Sequence, residues 1–427
     1  MTTREENTLL TETGPGTPGG EWLRQYWHPI AVSEELLQGG RPVPIRIMSE
    51  DLVLFRDEEG KLGLLQRSCP HRCTDLSFGR IEDGGIRCLY HGWLFDVKGN
   101  CIEQPAEPPE SKYKDEVKAL SYPCHEVGGL IFAYLGKGKA PELPDYEPLR
   151  VGEAHRVSQR TIINCNWLQA LEGGFDPAHL SYLHRPFKRK DRRPIPGSEN
   201  KSADNYYAGD RRPNLDFERT DYGLRIFSIR DSDPVTKYVR VTNFIMPDIV
   251  AIVGEEGRIG EGYSMHWHVP VDDHHNMRFD LIFNRVKPID KEWHRKRWQQ
   301  DILGPDGAKR SLDNRYFQNP ELMKTSNFTG MGDSFPIHDA FATESMGPIQ
   351  DRTKEHLATT DKILVQARRL ILESIAKVQQ SETPLHRVTD PKQRDVSHIV
   401  VVSEVIPKEN DHKAFWKTKV RAPQAAE

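Results

Sequence analysis

Cys69-Pro70-His71 and, after sixteen intervening residues, Cys88-Leu-Tyr-His91-Gly92-Trp93 are the stretches of this chain best equipped for chemistry. Each can present one thiolate and one imidazole from a tight turn. Together they offer four metal-binding atoms. That set suits one zinc ion in a closed tetrahedral site, or a two-iron, two-sulfide cluster with both thiolates on one iron and both imidazoles on the other. Neutral imidazole in place of anionic thiolate makes such a cluster accept an electron more readily than an all-cysteine one. Zinc sites usually pair like with like, as C-x2-C or H-x3–5-H, whereas each half here mixes Cys with His. The spacing favours the cluster, with zinc as the alternative. Cys73 lies outside the pattern and is expected to pack.

A second candidate centre lies in Asn166-Trp167 to His184. His179 and His184 would point about 140° apart on an undistorted helix. They meet at one ion only if the helix is distorted or ends between them. Two neutral histidines and one carboxylate, with positions left open, form the facial triad of non-haem Fe(II) oxygenases. The open face lets O₂ bind beside a substrate. Seventeen histidines in the chain make one such pair weak evidence alone. Carboxylates available downstream are Asp333, Asp339, Glu344 and Asp351. Asp176 reads as an N-cap ahead of Pro177, within one helical turn of His179.

The elements that must position these residues follow from periodicity. Strands are expected at Val43–Met48, Leu52–Phe55, Leu62–Gln66, Trp93–Val97 and Gly129–Leu135, with Asp57-Glu-Glu-Gly60 as a hairpin turn. A short helix is expected over Glu21–Trp27. Short strands at hairpin spacing predict an all-β unit carrying the first site on its loops. Gly136 to Asp145 reads as a linker, which divides the chain into residues 1–145 and 146–427. The second part opens with a strand, Arg156–Ile163, and a helix over Asn164–Glu172 that Gly173-Gly174 interrupts. Arg185–Pro213, basic and proline-rich, predicts a mobile surface loop. Alternating segments from 214 to 286 predict an antiparallel sheet. Lys354–Gln379 carries a helical stripe that includes Leu357, Ile363, Leu370 and Ile375.

Of 427 residues, 37% are hydrophobic and 29% charged, which suits a folded protein with ample core. A net charge of −4 gives no sign of nucleic acid binding, and no apolar run reaches membrane-span length. Six cysteines make no disulfide scaffold. A polar start without a secretory core points to the cytoplasm.

The C-P-H-R and C-x-Y-H-G-W forms resemble the cluster loops of Rieske oxygenases. Followed by N-W-L-x-x-L-E-G-G-x-D-x-x-H-x-x-x-x-H, they resemble the Rieske non-haem iron ring-hydroxylating oxygenases. Gly14-Pro-Gly-Thr-Pro18, Leu171-Glu-Gly-Gly174 and Glu344-Ser-Met-Gly-Pro-Ile-Gln-Asp-Arg-Thr353 narrow this to the phthalate 4,5-dioxygenase-like branch, from about residue 8 to about 380. The resemblance implies an α+β chain: an all-β Rieske domain holding a [2Fe-2S] cluster on Cys69, His71, Cys88 and His91, then a helix-grip-like catalytic domain of antiparallel sheet and helices. It implies mononuclear Fe(II) on His179, His184 and Asp339. The family commonly has Gln before that aspartate, where this chain has His338, and Glu344 is the main rival. Asp176 would link the iron site to the Rieske histidine of a neighbouring subunit in a head-to-tail trimer or stacked trimers.

The implied reaction uses O₂ and two electrons to hydroxylate or O-demethylate an aromatic carboxylic acid, with cis-dihydroxylation as the alternative. No G-x-G-x-x-G follows a strand and no plant-type ferredoxin spacing occurs, so NADH would act only through a separate flavin/ferredoxin-type reductase. Arg225, Arg230 and Arg240 on predicted strands are candidates to bind the substrate carboxylate, since a planar guanidinium matches it. Their alternative is to face solvent. The rival classes are a Rieske electron carrier with a structural second half, and a zinc-stapled interaction protein.

Overall fold

The structure is a computed structural model that describes residues 2–187, 203–254, 261–304 and 307–420. The first half contains β1 (Trp27–Val32), β2 (Val43–Ile47), β3 (Glu50–Arg56), β4 (Leu62–Gln66), β5 (Arg80–Glu82), β6 (Gly85–Arg87), β7 (Leu94–Asp96), β8 (Cys101–Glu103), β9 (Cys124–Val127) and β10 (Leu130–Tyr134). They form three antiparallel sheets, in the orders β1-β10-β9, β2-β3-β4 and β5-β6-β7-β8. Val53, Phe55, Leu65, Leu76, Ile86 and Phe95 pack between the last two, and Cys69 and Cys88 sit in the same core. The hairpin at Asp57 forms as expected, closed by Gly60 N–H to the Asp57 carbonyl with Gly60 at φ +87°.

The second half contains β11 (Arg156–Ile163), β12 (Asn214–Arg219), β13 (Gly223–Asp231), β14 (Thr236–Ile245), β15 (Ile249–Ile252), β16 (Ser264–Pro270), β17 (Asn276–Phe283) and β18 (Val402–Pro407). They make one eight-stranded antiparallel sheet in the order β11-β17-β16-β15-β14-β13-β12, with β18 paired to β14. Side chains alternate across it. On β16 and β17, Met265, Trp267, Phe279 and Leu281 face the first half, where Trp267 meets Phe132 edge-on at 6.0 Å. His266, His268, Arg278 and Asp280 face the other way, into a cavity. The helices Trp167–Phe175, Lys291–Ile302 and Phe335–Glu344 also line it, as does the segment Asp176–His184. The helix Lys362–Gln379 packs Ile363, Ala367, Ile371 and Ile375 into the main core beside Leu10 and Trp22 from the chain's start.

Several boundaries differ from expectation. The short helix expected over Glu21–Trp27 is Pro18–Leu23, capped by Thr17, and Trp27 already begins β1. Gly173-Gly174 does not interrupt its helix, which runs from Trp167 to Phe175. Gly174 is there because the helix lies close on β15, where a Cβ would stand 3.1 Å from Val250 Cγ2. The stripe before Lys362 is broken into 3-10 turns, and Leu357 is exposed. Within Arg185–Pro213, residues 188–202 lie outside the described residues, but Ala203–Gly209 is helical, and Phe187 N–H bonds the Ser326 carbonyl at 2.7 Å. Among the described residues, no helix is long and apolar enough to cross a membrane.

Buried histidines, His268 and His386 among them, predict an acid-sensitive fold. Burial pushes His268 down to about 3 and His386 down to about 4, so both stay neutral in the folded chain. Unfolded, each would titrate near 6.5. Between those values the unfolded state binds more protons, so stability falls as pH drops from about 6.5 towards about 4. Urea midpoints measured across that range should fall, and His386→Gln should flatten the slope by about one proton.

Candidate metal centres

The two Cys-His loops share one backbone design. Cys69 N–H donates to the Thr74 carbonyl at 2.8 Å, and Cys88 N–H to that of Trp93 at 2.9 Å. The Cys69 carbonyl accepts from Cys73 N–H at 2.9 Å, and that of Cys88 from Gly92 N–H at 3.0 Å. In each loop the residue four beyond the cysteine is left-handed, at φ +60° for Cys73 and +74° for Gly92. Cys73 is thus the counterpart of a glycine, and it is exposed, not packed as expected. The His71 and His91 rings come within 4.4 Å, and Trp93 stacks on His71 at 4.3 Å.

These residues fit the two-iron cluster. Nδ1 of His91 is buried and has no hydrogen-bond partner, as a ligand atom needs. Burial, with Cys88 alongside, pushes the Cys69 thiol up to about 12, so a thiolate forms there only against a strong cation. Among the described residues, the one set of three or more candidate ligand atoms within 4.8 Å is elsewhere. The four loop residues are therefore not gathered for a single zinc.

That set is His179, His184 and Asp339. The helix carrying Leu171 ends at Phe175, and Asp176 is its C-cap, not an N-cap as expected. Asp176 Oδ1 accepts from Ala178 N–H at 2.8 Å and turns the chain. A 3-10 turn, His179–Ser181, follows and ends at Tyr182, so the two histidines converge without sharing a helix face. Their Nε2 atoms stand 3.2 Å apart. Asp339 Oδ1 lies 3.0 Å from His184 Nε2 and 3.8 Å from His179 Nε2. The carboxylate comes from a helix started by Ser334, whose side chain accepts from Ile337 N–H, and Phe335 of that helix stacks on His184 at 4.3 Å.

Burial works to raise the Asp339 carboxyl, but His184 and His179 outweigh it and hold it well below the carboxylate range. Burial depresses His184, whereas Asp176, with Oδ2 at 3.4 Å from Nδ1, raises His179 against its own burial. With both imidazoles neutral, as a bound cation requires, the trio offers two lone pairs and a negative oxygen, with open space on the cavity side: the geometry of a facial triad for a divalent ion. Glu344, the rival, is engaged elsewhere. Its Oε1 accepts from Asn164 N–H at 2.9 Å and its Oε2 from the Tyr316 hydroxyl. Asp351 caps a 3-10 turn.

The cavity beside the trio has a volume of about 200 Å³. Of the three candidate arginines, Arg240 lines it, and Arg225 and Arg230 are not among the described lining residues. Neither of those two faces solvent. Arg225 lies on the opposite sheet face, paired to Glu218 at 2.9 Å and stacked under Trp416. Arg230 donates to Ser228 Oγ at 2.7 Å and to the Pro177 carbonyl at 3.0 Å, which braces the turn between Asp176 and His179. Arg278 was missed: it lines the cavity, fixed by Asp280 Oδ1 at 2.7 Å and His266 Nδ1 at 2.6 Å. Its signal was present, since Met265-His-Trp-His-Val and Met277-Arg-Phe-Asp-Leu place polar residues at every second position of buried strands.

Two candidate metal centres, one whose residues fit an electron-accepting cluster and one with the geometry of an open facial triad, match what an oxygen-activating enzyme needs. The Rieske [2Fe-2S] domain family matches residues 26–124, and the family described as LigXa C-terminal domain like matches residues 133–427. The phthalate 4,5-dioxygenase oxygenase subunit of Pseudomonas putida is 36% identical over 399 residues, covering 90% of this chain and 89% of that one. The 5,5'-dehydrodivanillate O-demethylase oxygenase subunit of a Sphingobium species is 34% identical over 395 residues, covering 92% and 84%. Among solved structures, dicamba monooxygenase bound to dicamba shares the fold with a TM-score of 0.60 at 18% identity, covering 84% of this chain and 99% of that one. The chain belongs to the Rieske non-haem iron aromatic oxygenases, as an oxygenase component. Members use a [2Fe-2S] cluster, a mononuclear iron, O₂ and electrons from a separate reductase, which sets aside zinc and the carrier-only reading.

Four substitutions test the residue assignments. Cys69→Ala should abolish the visible cluster absorption and leave mononuclear metal uptake, while His184→Ala and Asp339→Ala should do the reverse. Glu344→Ala should keep both metals but lower stability by about 1–3 kcal/mol, because buried donors lose their acceptor. Metal analysis with absorption spectra reads all four, and loss of mononuclear iron in Glu344→Ala alone would reassign the third ligand.

Proposed function

We propose that this oxygenase hydroxylates or O-demethylates a small aromatic carboxylic acid. The observation that carries this reading is the cavity itself: His179, His184 and Asp339 on one wall, Arg278 and Arg240 on the sheet face across it. A guanidinium already fixed by Asp280 and His266 spends little further freedom on holding a carboxylate. Arg240 donates to the Tyr207 hydroxyl at 2.7 Å and so is also held in place. Ile163, Phe175, Ile252 and Trp298 supply apolar surface for a ring and exclude water from it. The relatives' names, with phthalate and dehydrodivanillate as substrates, agree with an aromatic acid.

When bound, the iron would supply O₂ activation, with the cluster providing one of the two electrons. The chain's own work is placement. His179 and His184 present Nε2, and Asp339 presents Oδ1. The arginines set which edge of the ring lies over the open face. Incubation with methoxylated benzoates, O₂ and a reductase tests the reading. Formaldehyde release supports O-demethylation, a cis-diol reverses that choice, and no turnover of any aromatic acid sinks it. Arg278→Gln should raise KM for the acid about 10-fold or more, because an anion then faces Asp280 without its counter-charge.

The division near residue 145 and the trimer belong to the same reading. Leu89 and Tyr90 beside His91 are exposed, as are Tyr182 and Phe328 beside the ligand turn. Two such apolar patches suit a head-to-tail contact in which His91 of one copy meets Asp176 of the next. Asp176→Asn keeps the turn-forming oxygen but not the charge behind His179. It should leave metals, fold and assembly intact and slow turnover about 10- to 100-fold or more. Normal turnover would reduce Asp176 to a cap.

A further inference from the structure

His184 can hold a cation at Nε2 only if its ring hydrogen sits on Nδ1, and a partner must accept that hydrogen. The atom facing Nδ1 of His184, at 3.2 Å, is Nδ1 of His338. Two imidazole nitrogens bond at that distance only when one carries hydrogen and the other is bare. The far end of the His338 ring decides which. There Nε2 lies 3.0 Å from the Gly332 carbonyl oxygen, which can only accept. It also lies 3.0 Å from Thr329 Oγ1, whose own hydrogen goes to Asn327 Oδ1 at 3.1 Å. Asn327 cannot be reversed, since Oδ1 also accepts from Gly330 N–H at 2.7 Å and Nδ2 donates to the Gly332 carbonyl at 2.8 Å. Acceptors thus surround His338 Nε2, the hydrogen sits there, and Nδ1 is left bare.

We propose that His338 is a positioning residue for the metal centre: it takes the Nδ1 hydrogen of His184 and thereby aims the Nε2 lone pair at the point shared with His179 and Asp339. The proposal rests on the reading of those three residues as ligands. His338 does with a neutral ring what Asp176 does for His179 with a charged one. The difference has a physical sense. Asp176 and Asp339 already match the two charges of a divalent ion, and a third carboxylate behind His184 would leave buried charge uncompensated. The acceptor set is also tied to the ligand's own backbone. Phe328 N–H donates to the Arg185 carbonyl at 2.9 Å and Phe187 N–H to that of Ser326, on either side of Asn327.

The test uses cluster-loaded protein stripped of mononuclear iron and titrated with Co(II), followed by the cobalt absorption bands. His338→Leu should weaken cobalt binding about 10- to 100-fold while the cluster absorption and melting temperature hold. His338→Gln, whose carboxamide carries one acceptor and one donor, should recover most of that loss. Cobalt binding by His338→Leu equal to the unsubstituted protein overturns the proposal. Should His338→Leu lose its cluster or melt early, nitrogen-15 spectra of histidine-labelled, zinc-loaded protein decide. Hydrogen on Nε2 of His338 and Nδ1 of His184 upholds the assignment, and the opposite tautomers overturn it. Failure of the unsubstituted protein to bind cobalt overturns the ligand set, and the role of His338 with it.

Discussion

Three electron pairs aimed at one point repel each other, and a chain holds them there only if something stiffer surrounds them. Here two imidazole nitrogens and a carboxylate oxygen stand within 4.8 Å, with little exposure of His184 to relieve them. The surroundings supply the stiffness in layers. A helix C-cap fixes Asp176, Arg230 grips the carbonyl of Pro177, and Phe335 lies flat on His184. The helix that bears Asp339 starts from a side-chain cap and so enters the site at a set depth. Each of these contacts is ordinary. Together they leave the trio nowhere else to point, which is what pre-organisation for a metal means.

The cluster loops solve a similar problem with backbone alone. A cysteine whose N–H and carbonyl are both bonded within its own loop has its side-chain direction set before any metal arrives. Two copies of that loop, one between β4 and β5 and one between β6 and β7, bring two thiols into the core and leave two imidazoles only partly buried. The tip at Leu89 and Tyr90 is then apolar and exposed, as a surface that meets another protein tends to be.

Much of this was legible because the chemistry constrains spacing. The loop motifs and the histidine pair are readable along the chain, as are strands β4 and β11 to the residue, whereas Asp339 stood among four downstream carboxylates until the family resemblance singled it out. What was not legible involves the third dimension. Asp176 before proline looks the same whether it opens a helix or closes one, and only the close seating of Gly174 on Val250 explains why the helix continues so far. Arg225 and Arg230 were offered as one kind of residue, yet they sit an odd number of positions apart on β13 and must face opposite ways. Trp416, far along the chain, covers the first, and the ligand turn takes up the second. Arg278 went unremarked because an arginine two residues from an aspartate on a strand reads as a surface pair, whereas here Asp280 is buried and Arg278 is only partly exposed.

The alternation along β16 and β17 has a consequence for how such an enzyme changes over generations. His266, His268, Arg278 and Asp280 shape the chamber, while Met265, Trp267, Phe279 and Leu281 lie against the half that bears the cluster loops. Neighbouring codons therefore answer to separate demands. A lineage can retune what it accepts by drifting at every second position, and the seating of the two halves of the chain on each other stays put. Diet and seating are inherited on the same strand but edited independently.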